Sequence, residues 1–113
     1  MAQIDGYRFG HIVIDGNEHR RDVIVLPHRV VSDWWRRDGH SLVMDDLADV
    51  IDELPRHFIV GCGAYGRMRP DPATIEQLES RGIKVEVLVT ERAVDRYAEL
   101  GPDTAAAALH LTC

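Results

Sequence analysis

Two runs rich in β-branched and aromatic residues, Tyr7 to Ile14 and Arg20 to Leu26, open the hydrophobic pattern of the chain and read as strands. Asp15-Gly16-Asn17 between them suits a tight hairpin turn. Pro27 interrupts the second run, and Val30 to Trp35 reads as a third strand before the turn Arg36-Arg37-Asp38-Gly39-His40. The period then changes. Leu47, Val50, Ile51 and Leu54 fall at i, i+3, i+4 and i+7, which predicts an amphipathic helix that Pro55 ends. His57 to Val60 is a short strand pattern of the buried type. Asp71 as N-cap, Pro72 at the first helical position and Gly82 beyond the end bracket a second helix carrying Ile75 and Leu78.

Ile83 to Val89 follows as a strand. Thr90 can cap a third helix, with Glu91 in its first turn and Ala93, Val94, Tyr97 and Ala98 on one face. Ala105 to Thr112 is alanine-rich and suits either element; after Gly101-Pro102 a final strand is expected. Strands first, then αβαβαβ, predict a single α/β domain over residues 1–113, its mixed sheet flanked by helices.

Composition and charge exclude several roles. Apolar content of 45% and charged content of 28% are those of a soluble globular chain, and 113 residues can bury a core of ordinary size. The net charge of -6, with Lys84 as the only lysine and the arginines scattered, argues against nucleic acid and anionic membrane as partners. No apolar run is long enough to span a bilayer, so membrane insertion is not expected. A strand pattern beginning at Tyr7 leaves no room for a leader, and two cysteines make no disulfide framework; a reducing cytoplasm is the expected location.

Candidate chemistry concentrates where an apolar strand runs into Gly61-Cys62-Gly63-Ala64-Tyr65-Gly66. The spacing is that of a dinucleotide-binding turn, but such a turn needs its third glycine to open a helix, and Pro70 and Pro72 delay the helix here. No dinucleotide or other cofactor is therefore expected. The loop sits at the C-terminal end of a parallel strand, and the helix N-termini at Asp71 and Thr90 should open beside it. An anionic small molecule is the ligand this edge favours. Equally, the glycines can serve only to turn the chain, with Asp71 and Thr90 as ordinary caps.

Cys62 is a candidate nucleophile if the helix ends lower its pKa, or simply a small buried residue; no base is identified among His11, His19, His28, His40, His57 and His110. His110 and Cys113 form one pair without a second, so no metal is expected. Trp34-Trp35-Arg36-Arg37 is the candidate protein interface: adjacent tryptophans in a strand face opposite sides, leaving one outward with both guanidinium groups.

Several segments resemble, in order and over nearly the whole chain, the domain-of-unknown-function family numbered 498. They are Tyr7 to Ile12, Asp22 to Pro27, Trp35-Arg36, Gly39-His40, Val60 to Ala64, Thr90 with Ala93 and Tyr97, and His110 to Cys113. That family includes small bacterial and archaeal proteins, a vertebrate adipogenesis-associated protein and a mitochondrial complex I assembly factor. The resemblance implies a three-layer α/β fold with a mixed central sheet and an added β-rich face, and no established reaction, cofactor or catalytic residue. The family's usual Gly-Thr-Gly is Gly61-Cys62-Gly63 here, and its Tyr-Asn-x-Leu is Tyr97-Ala98-Glu99-Leu100. The expected role is a non-enzymatic interaction or assembly module for a protein partner, with homodimerisation open; the alternative is a small-molecule binding protein or enzyme using the Gly61 to Gly66 edge.

Overall fold

The computed structural model describes residues 2–113. Its centre is a mixed five-stranded sheet of order β5-β4-β10-β7-β9, formed by β4 (Val23–Val25), β5 (Val30–Val31), β7 (His57–Cys62), β9 (Lys84–Leu88) and β10 (Ala105–His110). β10 lies parallel to β7 and antiparallel to β4, and β7 lies parallel to β9. β10 is thus paired on both sides and covered on both faces. All six of its residues are buried, and helix-forming alanines are held as strand by that double cover.

One face of this sheet carries Ile24, Phe58, Val60, Cys62, Ala106 and Ala108. Helix α1 (Pro72–Ser80), two 3-10 turns (Met44–Leu47 and Ile51–Glu53) and the short parallel ladder of β6 (Ser41–Leu42) with β8 (Arg69–Pro70) cover it through Leu78, Leu47, Leu42 and Met68. The opposite face carries Val23, Val25, Ile59, Ala105, Ala107 and Leu109. Helix α2 (Thr90–Leu100) and a separate antiparallel sheet of β1 (Ile4–Arg8), β2 (His11–Ile14) and β3 (Asn17–His19) cover that side through Ala93, Tyr97, Ile12 and Ile14. The three layers, the mixed sheet and the extra β-rich face agree with the α/β architecture expected from the sequence.

The N-terminal strands divide differently from expectation. The run Tyr7 to Ile14 breaks at Phe9-Gly10 into β1 and β2, with Gly10 at φ +74°. Asp15-Gly16 forms the tight turn, both residues at positive φ (51° and 80°), but it joins β2 to β3 rather than to the strand in Asp22 to Leu26. That strand, β4, crosses into the central sheet. Val30 to Trp35 is a strand only over Val30–Val31.

The helix expected over Leu47 to Leu54 is replaced by the two 3-10 turns. Trp34 Nε1 donates to the carbonyl of Asp46 (3.0 Å), the acceptor an α-helix would offer to Val50, and Val50 N bonds Leu47 O instead (3.0 Å). The Asp49 carbonyl is likewise taken by Arg29 Nη2 (3.5 Å), and Glu53 N turns to Val50 O (2.8 Å).

Candidate functional site

β7, β9 and β10 all end at one edge of the central sheet, and antiparallel β4 begins there. The loop after β7 is the glycine segment. Gly63 has φ +96°, and a Cβ on it would stand 2.6 Å from the Cys113 carbonyl carbon and 2.7 Å from both His110 Cδ2 and Thr112 O. The close backbone approach that such a turn makes to a phosphate is made here to the C-terminal segment of the same chain.

Most of the loop's donors are engaged internally. Gly63 N donates to Thr90 Oγ1 (2.8 Å), Ala64 N to Thr112 O (2.7 Å), Gly66 N to Gly63 O (3.4 Å) and Arg67 N to Cys113 O (3.0 Å). Thr90 is wholly buried and is the first residue of α2, with Val89 in the cap position. Its hydroxyl donates to the His110 carbonyl (2.6 Å) while accepting from Gly63, so Thr90 fastens strand, loop and helix together and does not cap. Asp71 does cap: its Oδ1 accepts from Ala73 N (3.0 Å), with Pro72 following at the first helical position. Gly61 also serves packing, since a Cβ there would lie 2.9 Å from Leu109 and 3.3 Å from Ala93.

Cys62 faces the core beside Met68 and Leu42. Burial pushes its thiol above the ordinary value against the opposing pull of Arg69, so it lacks the lowered pKa a nucleophile needs.

Next to the loop lies a polar cluster around Asp22 that no sequence spacing marks. Arg36 Nη1 bonds Asp22 Oδ2 (2.6 Å), and its Nη2 donates to Gly39 O (2.9 Å). His110 Nδ1 stands 2.8 Å from the same Asp22 oxygen, and Leu111 N donates to Asp22 Oδ1 (2.9 Å). An ionised carboxylate can only accept, so in its bond to Asp22 Nδ1 carries the proton, and the 3.1 Å approach of Arg36 Nη2, itself only a donor, is contact without a hydrogen bond. His110 Nε2 is left 3.4 Å from Thr112 Oγ1. Arg36 also lies over the Trp34 ring, 4.8 Å from its centroid. The cluster holds the C-terminal segment and the Trp34 segment on the sheet. Among the described residues no three His, Cys, Asp or Glu gather as metal ligands.

The expected interface segment therefore divides. Trp34 is buried and Trp35 is exposed, although neither lies in a strand as expected. The expectation that both guanidinium groups face outward fails at Arg36, which is 7% exposed and paired with Asp22; Arg37 is exposed.

Among the described residues the large exposed hydrophobics are Phe9, Trp35, Tyr65 and Val89. Phe9 sits in the β1–β2 turn, whose Gly10 N bonds Leu111 O (2.8 Å), and its ring centroid is 6.1 Å from that of Tyr65 in the glycine loop. Val89 follows β9, and a Cβ on Gly66 would lie 3.6 Å from its Cγ1. Trp35 sits between Trp34, whose N–H bonds Asp22 O (2.8 Å), and Arg36. Phe9 was not singled out from the sequence, where its neighbour Gly10 was the only hint of a turn.

A three-layer α/β domain with this mixed sheet and β-rich face defines the class. The chain belongs to the family described as protein of unknown function (DUF498/DUF598), whose family model matches residues 4–110. Its fold is that of a conserved hypothetical protein of Pyrococcus horikoshii, 28% identical with a TM-score of 0.82 over 98% of this chain and 99% of that one. A Bordetella pertussis protein described as an Mth938-like domain is 18% identical with a TM-score of 0.72 over 97% and 85% of the two chains. A Bartonella henselae protein described as an outer membrane protein is 22% identical with a TM-score of 0.82 over 99% and 96%. These last two likenesses are of fold alone. In the present chain no helix among the described residues is long and apolar enough to cross a membrane.

Proposed function

We propose that this protein is a non-enzymatic, assembly-factor-like interaction module of the cytoplasm that binds a protein partner through the loop end of its central sheet. The observation that carries this reading is the common location of Phe9, Trp35, Tyr65 and Val89, which all emerge from segments meeting at that end. Each exposed aromatic has an exposed arginine within two positions: Arg8, Arg37 and Arg67. Tyrosine, tryptophan and arginine are the residues enriched at interface hot spots. The partner surface that complements them is apolar with an acidic rim.

The engaged N–H groups of Gly63, Ala64 and Gly66 and the raised Cys62 pKa favour this reading over an anionic small molecule or a thiol enzyme. Free Cys62 and Cys113 support a reducing compartment.

The test is affinity capture with mass spectrometry, comparing the parent with the triple variant Phe9→Ser, Trp35→Ala, Tyr65→Ala. All three side chains are exposed, so the circular dichroism spectrum should be unchanged. Affinity for the captured partner should fall by at least about thirtyfold, the equivalent of one hot spot of ~2 kcal/mol. A variant that retains every partner at full affinity overturns the reading.

A further inference from the structure

We propose that the free edge of β9 is a self-association surface, and that its occupant is β9 of a second copy of this chain, paired antiparallel across a two-fold axis at Val85. β9 hydrogen-bonds to β7 alone, so its outer edge has no partner strand among the described residues. The other sheet edges are guarded. β5 has two residues and β3 three, and β1 carries a register irregularity between Ile4 and Gly6 with α2 packed beside it. β9 has five residues, no proline and no irregularity in its pairing.

Clefts open along both faces of β9: one of about 420 Å³ lined by Glu86, Leu88, Arg92, Asp95, Arg96 and Glu99, and one of about 270 Å³ lined by Arg69, Pro70, Ile75 and Val87.

Charge selects the register. Lys84, Glu86 and Leu88 share the α2 face of β9. Arg96 Nε bonds Glu86 Oε1 (3.0 Å) and its Nη1 bonds Glu99 Oε2 (3.2 Å). With Asp95 and Arg92, that cleft holds three acids and two arginines, an excess of one negative charge. Antiparallel pairing about Val85 brings the only lysine of the chain, Lys84, opposite Glu86 of the other copy, and it does so twice by symmetry. Val85 then faces Val85, and Ile83 faces Val87. A register centred on Glu86 would instead oppose two carboxylates, which is unfavourable. The result is a continuous ten-stranded sheet. A strand pair this short lies at the small end of specific interfaces, so a weak, concentration-dependent dimer is expected.

Sedimentation velocity from about 1 to 500 μM tests the proposal. The parent should move from monomer to dimer across that range. Lys84→Glu should weaken the dimer by at least about tenfold, and Lys84→Arg should preserve it. In a Cys113→Ser background, Val85→Cys should give an oxidised covalent dimer and Val87→Cys should not, because only residue 85 meets its own copy. A monomer at every concentration overturns the proposal. So does a dimer indifferent to Lys84→Glu, or one that crosslinks at residue 87 rather than 85.

Discussion

Asp22 faces a guanidinium, an imidazole N–H and a backbone N–H at once. Burial alone would raise its pKa; hydrogen bonds from His110, the Leu111 N–H and Arg36 outweigh that and hold it below the ordinary aspartate value. A depressed folded-state pKa gives stability that is present above the unfolded value and lost as pH falls through the folded one. Urea titrations should therefore show stability falling on the acid side of about pH 4. Asp22→Asn, which leaves the buried Arg36 charge without its partner, should be destabilised by about 3 kcal/mol at pH 7 and show a flatter acid limb. An unchanged acid limb would remove Asp22 from this role. No periodicity marked Asp22, since one carboxylate beside the apolar run Val23 to Leu26 looks like any solvated strand end. Gly63 was legible as a turn residue, but nothing in its spacing told a phosphate from the Thr112-Cys113 backbone as the object of its close approach.

At the scale of elements, Thr90 joins three of them: the end of β7, the start of α2 and the end of β10. Thr90→Val keeps the shape and removes both bonds, leaving Gly63 N and the His110 carbonyl unpaired in a buried place. The expected loss is about 2–3 kcal/mol in urea unfolding, with Thr90→Ser recovering most of it. A loss no larger than that of an ordinary N-cap removal in the serine and valine variants alike would return Thr90 to the cap expected from its sequence position. Asp71-Pro72 and Gly82 delimited α1 correctly because every capping partner lies within the same few residues. The segment Leu47 to Leu54 was misread for the opposite reason. Its helical acceptors at Asp46 and Asp49 are taken by Trp34 and Arg29, residues far enough away that local periodicity carries no trace of them.

Across the whole molecule, Ala2 is tied to the core-facing side of α2 by Tyr97, whose buried hydroxyl donates to the Ala2 carbonyl (2.8 Å). Burial, with Asp15 and Asp103 adding, pushes its pKa up to about 12. A raised folded-state value means stability that is present below the unfolded tyrosine value of about 10 and lost as pH rises through the folded one. Urea titrations at increasing pH should show a decline that begins near pH 10. Tyr7 is also raised by burial and by Glu91, Asp22 and Tyr65, and it adds to the same limb. Tyr97→Phe should lose about 1 kcal/mol at neutral pH and soften the alkaline decline without abolishing it. An alkaline limb as steep as the parent's would count against Tyr97.

The sequence by itself determined the α/β class, the order of strands and helices from His57 onward apart from the two-residue β8, and the turns at Asp15-Gly16 and Gly82. These follow from periodicity, capping and positive φ, all of which act within a few residues. The loop after β7 was placed correctly by the same local rules. Only the tertiary structure decided what that loop touches. The segment from His110 to Cys113 is almost fifty residues away along the chain yet fills the approach that Gly63 opens, because β10 inserts between β4 and β7 and delivers its end there. The same insertion buried Arg36 against Asp22 and left Trp35 outside, dividing a run of four residues that looks uniform when read in line. Pairing between distant strands depends on contacts that no short window contains, and it is this pairing that separates the buried members of the candidate site from the exposed ones.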